Sequence, residues 1–151
     1  MTMTSNGHFD IGAHLLSLSL QDEGVWYALE PWIKHGECRV ATDTEAAVRL
    51  RSWDNPKFRE SLRMCHREHN PLGIERTQQQ EIEAINDAMS RGLVTGLRGL
   101  RIDGKDITFD TKNVRDWLND RRLPQLRTLC TTGSQLMANY REQVEERRAG
   151  N

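Results

Sequence analysis

Apolar positions along the chain recur with two different periods. In the first half, Leu16, Leu18 and Leu20 alternate with Ser17 and Ser19, and Val48, Leu50 and Ser52 alternate with Arg49, Arg51 and Trp53. Both runs carry the period-two pattern of half-buried strands, and the second would expose two guanidinium groups on one face. Residues 25–29, Val-Trp-Tyr-Ala-Leu, lie between the turn signal Asp22-Glu23-Gly24 and Pro31, and their β-branched and aromatic character predicts a strand that pairs with the arginine strand. Residues 32–47 keep no period and read as loop, with one turn at His35-Gly36.

In the second half the period lengthens to three and four residues. Asp54-Asn55-Pro56 supplies a capping side chain and a first-turn proline, and Phe58, Leu62, Cys65 and His69 follow on one face. A helix is predicted to about His69, where Asn70-Pro71-Leu72-Gly73 ends it. A more polar helix is expected to begin between Glu75 and Thr77, with Ile82, Ile85, Met89 and Leu93 as a narrow apolar stripe. Leu123-Pro124 opens a shorter helix carrying Leu126, Leu129 and Cys130. Thr131-Thr132-Gly133-Ser134 reads as a break and a fresh cap, and a last helix then carries Leu136, Met137, Tyr140 and Val144.

Between these helices, residues 96–120 contain a turn, two short strands and a capped helix. Asp103-Gly104 has the residue types that accept positive φ at both centres of a two-residue hairpin loop. That register pairs Leu100 with Ile107 and sets Arg101 opposite Asp106, so an apolar pair and a charge pair support one alignment. Asp110 or Thr111 then offers a cap oxygen, and Val114, Trp117 and Leu118 make one apolar face.

The predicted fold class is therefore α+β: a small N-terminal antiparallel sheet, a mostly helical body, and a short β-hairpin at Asp103-Gly104. Residues 1–10 read as a flexible leader, residues 11–148 as a single domain and residues 149–151 as a frayed tail. The 151 residues suffice for one domain with its own core. With 28% charged residues and a net charge of −1, the chain has no global basic bias toward nucleic acid. Three widely spaced cysteines make no secreted disulfide framework, and no apolar run reaches membrane-span length, so a cytoplasmic protein is expected.

Candidate chemistry comes next. His35-x-x-Cys38 and Cys65-His66-x-x-His69 offer thiol and imidazole groups at spacings that suit a tetrahedral zinc, the set being His35, Cys38, Cys65 and His69. Cys65 and His69 also continue the apolar face of Phe58 and Leu62, and that packing reading is the one adopted, with no metal and no cofactor assigned. Cys65 beside His66 is sequence adjacency, which separates the two side chains by about 100° on a helix and makes no catalytic dyad. Arg49, Arg51, Lys57, Arg59, Arg63 and Arg67, interleaved with Trp53 and Phe58, form a local basic cluster, but acidic neighbours such as Glu60 and Glu68 reduce it to a solvated, ion-paired face. No enzyme is expected.

The order of features resembles the tail assembly chaperones of long-tailed bacteriophages. The resemblance rests on Gly24-Val25-Trp26-Tyr27, Arg49-Leu50-Arg51 and Asn55-Pro56-Lys57-Phe58 opening a helix. It continues through Leu93-Val94-x-Gly96, the Gly104-Lys105 turn, an Ile107-Thr108-Phe109 strand, Trp117-Leu118 and the late Asn139-Tyr140-Arg141. It implies a non-enzymatic protein of the host cytoplasm that shields the tape measure protein until tail tube subunits polymerise, with the tail tube protein and self-association as further contacts. Membrane and nucleic acid are not implied as partners. Client contact is then expected at Leu136, Met137, Tyr140 and Val144, and at the Ile82 to Leu93 stripe. The competing functions are a minor virion structural protein, of the tail or connector, and a small nucleic-acid-binding regulator.

Overall fold

The computed structural model describes residues 23–74 and 77–149, with side chains up to residue 136 and at residue 138. The aromatic run and the start of the arginine run fold as strands Val25–Ala28 (β1) and Ala47–Leu50 (β2), and Val94–Arg98 (β3) joins them. They form an antiparallel sheet of order β1-β2-β3, with Tyr27 opposite Val48 and Arg49 opposite Gly96. The expected Leu16 to Leu20 strand and the leader fall outside the described residues.

Helix Pro56–His69 (α2) starts where the cap predicts it, with the Asn55 side chain accepting from the Lys57 N–H at 2.8 Å. Helix Gln78–Gly92 (α3) opens with a reciprocal capping box between Thr77 and Gln80. The hairpin follows as Arg101–Ile102 (β4) and Lys105–Asp106 (β5), with positive φ at Asp103 and Gly104, Arg101 opposite Asp106, and the Ile107 N–H bonded to the Leu100 carbonyl. Ile107-Thr108-Phe109 is not a strand: pairing stops at Asp106 apart from that one bond, and the chain runs extended into helix Thr111–Asn119 (α4), capped by Asp110. Val114, Trp117 and Leu118 are buried as their spacing predicts.

Three further expectations are corrected. Residues 32–47 are not all loop, because Leu29–His35 is a helix (α1). Pro31 lies in its first turn, where its missing N–H costs nothing, and Gly36 closes it in the left-handed conformation. After α1 the chain returns beside β1, through a bridge between Tyr27 and Val40 and a two-bond ion pair from Arg39 to Glu45 at 2.8 and 2.6 Å.

The break at Thr131 to Ser134 does not occur, and Pro124–Ala149 is one helix (α5). Thr131 and Ser134 donate their hydroxyls to the carbonyls of Arg127 and Cys130 one turn back, so neither acts as a cap. Gly133 serves close approach: a Cβ there would stand 3.1 Å from both the Tyr27 ring and Leu50. The Tyr27 hydroxyl donates to the Gly133 carbonyl at 3.1 Å and the Trp53 N–H to that of Ser134 at 3.0 Å, docking α5 on the sheet. Burial raises the Tyr27 phenol above its ordinary value and keeps it a donor. Tyr27→Phe is accordingly expected to cost about 1 kcal/mol, measured as a lower denaturant midpoint at unchanged slope.

Arg49 and Arg51 are not exposed guanidinium groups on an open strand face. Arg49 donates to the Thr95 hydroxyl and carbonyl, and Arg51 to the Gly92 carbonyl. Arg49 and Arg98 both lie over the Trp26 ring, with Gly96 beneath it, where a Cβ would come within 2.8 Å of the indole. The core fills the other side: Val25, Tyr27, Val48 and Leu50 meet Phe58, Met89, Val114 and Leu129.

Candidate functional site

The most densely connected polar group joins α2, α3 and α4. Asp87, on α3, is buried, and its Oδ2 lies 3.1 Å from His69 Nε2 on α2. Arg91, one turn further along α3, donates to both Asp87 oxygens at 3.0 and 3.1 Å and reaches Glu68 of α2 at 3.1 Å, while Arg115 of α4 approaches Asp87 at 3.7 Å. Burial pushes the Asp87 carboxyl up, but the His69 hydrogen bond and the Arg91 charge outweigh it and hold the group below its ordinary value. Cys65, fully buried beside this carboxylate, is pushed up to about 11, chiefly by burial, so its thiol stays protonated at neutral pH and is a poor nucleophile.

The sequence-derived metal set does not assemble. Among the described residues, the metal-ligand types that converge are Cys65, Glu68 and Asp87, within 4.8 Å of one another. His35 ends α1 and Cys38 follows in the loop after it, whereas Cys65 and His69 face α3. In the convergent group Arg91 already supplies positive charge to both carboxylates, so the arrangement acts as an ion-pair clamp on three helices. The sequence reading missed Asp87, Arg91 and Arg115 and took Glu68 only as a neutralising neighbour of the basic cluster; the Asp87-x-x-x-Arg91 spacing is the signal that points to part of this clamp.

The basic cluster is likewise dispersed. Arg49 and Arg51 serve the sheet, Arg63 is held by Glu60 at 2.5 Å, and Phe58 is fully buried with its ring 4.8 Å from that of Trp53. Of the aromatic residues interleaved with these cations, Phe58 is core and Trp53 is half-buried against it.

Among the described residues, the exposed large apolar side chains include Leu72, Ile74 and Leu136. On α5, Leu126, Leu129 and Cys130 are buried, whereas Leu136 is 44% exposed. The side chains of Met137, Tyr140 and Val144 lie outside the described residues. The α3 stripe is not a client surface of the expected kind: Met89 and Leu93 are fully buried, and Ala84, Asn86 and Ala88 join them in the interior, making α3 a central helix. Between the hairpin and α4 lies a recess of about 220 Å³ lined by Ile102, Ile107 and Trp117, with Lys105, Asp116 and Asp120 among its polar groups. Asn113 braces α4 against the chain leaving the hairpin through its bond to the Thr108 carbonyl.

Comparison with known proteins gives no match, whether to a protein-family model, a curated protein or a solved structure. Among the described residues, no helix is long and apolar enough to cross a membrane.

Proposed function

We propose that the chain is a tail assembly chaperone of a long-tailed bacteriophage, a non-catalytic adaptor that covers apolar stripes of the tape measure protein during tail building. The observation that carries this reading is α5. The helix has 26 residues, about 39 Å at 1.5 Å per residue, and its first three turns are docked on the sheet and α1. At Leu136, where the buried positions give way to an exposed one, the sequence begins the seam Leu136, Met137, Tyr140 and Val144. A helical client with its own apolar stripe is the natural complement of such a face. The order of the flanking elements is consistent with the same reading: strand, arginine strand, proline-opened helix, glycine hairpin and tryptophan helix.

Co-expression with a tape measure protein tests it. The wild-type chain is expected to keep that protein soluble and to co-elute with it, and Leu136→Asp combined with Tyr140→Asp is expected to reduce the complex at least about tenfold while circular dichroism stays unchanged. A soluble complex unaffected by the double substitution would remove α5 from the interface. Purified particles supply the second measurement: a chaperone is missing from mature tails, whereas a minor virion component is present in fixed copy number.

A further inference from the structure

We propose that the outer face of the sheet, where Arg49 and Arg98 lie over Trp26, receives an acidic segment of a partner protein, its carboxylates pairing with the two guanidinium groups. The inference rests on the adaptor reading and adds a contact made by charge to the apolar one on α5.

Uncompensated charge carries the argument. The Arg49 and Arg98 guanidinium carbons stand 5.1 and 4.5 Å from the centre of one indole ring, so two like charges share a single support. Neutral acceptors orient each of them. Arg49 donates through Nε and Nη2 to the Thr95 hydroxyl and carbonyl, at 3.0 and 2.9 Å, and Arg98 through the same two nitrogens to the Glu45 and Thr42 carbonyls, at 2.9 and 2.5 Å. These bonds fix direction and leave the positive charge in place. Nη1 of each arginine makes no hydrogen bond among the described residues.

The neighbouring carboxylates do not supply the missing counter-charge. Arg39 already holds both Glu45 oxygens, at 2.8 and 2.6 Å. Among the described residues Arg98 has no ion-pair partner, and Arg49 has Glu23 at 3.6 Å, too long for a hydrogen bond and from a side chain that is 74% exposed. An exposed pair of that kind contributes little and exchanges for a better-placed carboxylate. Glu23 also shows the chemistry that suits this face, since the group the chain itself brings to Arg49 is a carboxylate. Nucleic acid fits less well. The Trp26 ring, on which a base would stack, is taken by the guanidinium groups, and a chain of net charge −1 offers a polyanion no wider basic field.

Nitrogen-15 labelled protein titrated at low salt with the acidic peptide acetyl-Glu-Ala-Glu-amide provides the test, read at the Trp26 indole signal. That signal is expected to move saturably and to resist the neutral acetyl-Gln-Ala-Gln-amide, and added salt is expected to weaken the acidic titration. Glu23→Gln removes the internal competitor and is expected to tighten binding of the acidic peptide about threefold, whereas Arg98→Gln is expected to weaken it about fivefold. Two arginines that only brace the sheet predict neither the saturation nor the tightening. Glu23→Gln changes an exposed side chain, so it reads the site even where Arg98→Gln disturbs the fold. A signal that fails to saturate, an equal response to the neutral peptide, or an affinity that Glu23→Gln does not raise overturns the proposal. Tighter binding of a short thymidine oligonucleotide overturns it as well, by making the face a nucleic-acid site. The titration needs no client, so its failure leaves the α5 measurement to stand or fall separately.

Discussion

Asp87→Ala is expected to destabilise the protein by about 2–4 kcal/mol, seen as a fall in the denaturant midpoint without a change of slope. The carboxylate accepts from His69 and from Arg91 twice, with Arg115 close by, so its removal leaves three helices without their shared partner and donors facing a small cavity. The figure lies below that for a fully buried pair because the Arg91 and Arg115 side chains, 37% and 41% exposed, can turn toward water. The same substitution has a signature in pH. The folded Asp87 carboxyl sits below its ordinary value, so its contribution is fully present above the unfolded value of about 3.9 and is lost as pH falls through the folded one. Stability curves of the wild type and Asp87→Ala are therefore expected to run apart at neutral pH and to converge in acid. A constant gap between them through the acid limb would show that Asp87 acts by packing and not by charge.

Gly24→Ala is expected to cost at least about 3 kcal/mol and to lower the yield of soluble protein. At φ +94° this glycine enters β1 across the end of β2, where an added Cβ would lie 2.0 Å from the Leu50 carbonyl oxygen and 2.4 Å from its carbon. Both obstacles are backbone of a central strand, so neither can swing away. Gly104→Ala is the informative comparison, because Gly104 has φ +79° but open space around it, and only conformational strain of about 1 kcal/mol is expected. Thermal unfolding of the two variants side by side measures the difference. Equal losses would mean that the close approach at Leu50 contributes nothing.

The extent to which each feature could be read in advance follows the distance over which its cause acts. The Asp103-Gly104 hairpin, the Asn55 and Asp110 caps and the Val114, Trp117, Leu118 face all have causes within a few residues, and each is found as expected. Pro31 and Gly133 misled for one reason: both residue types interrupt regular structure in general, yet Pro31 sits in a first turn and Gly133 faces Tyr27. Their neighbours across the fold, invisible to local pattern, set their meaning. The candidate sites show the same division. Cys65 and His69 were singled out by spacing, but their actual partners, Glu68, Asp87 and Arg91, come together through the packing of α2 on α3.

Strand alternation, helix faces, caps and the two-residue turn were thus written in residues 25–28, 48–50, 54–69, 100–106 and 110–118, because backbone preference and burial periodicity are short-range effects. The continuity of α5 and the clamp around Asp87 were not, since each depends on groups many positions apart being brought within contact distance. Contact between remote segments follows from how whole elements pack, and a periodic pattern specifies which face is buried without specifying against what.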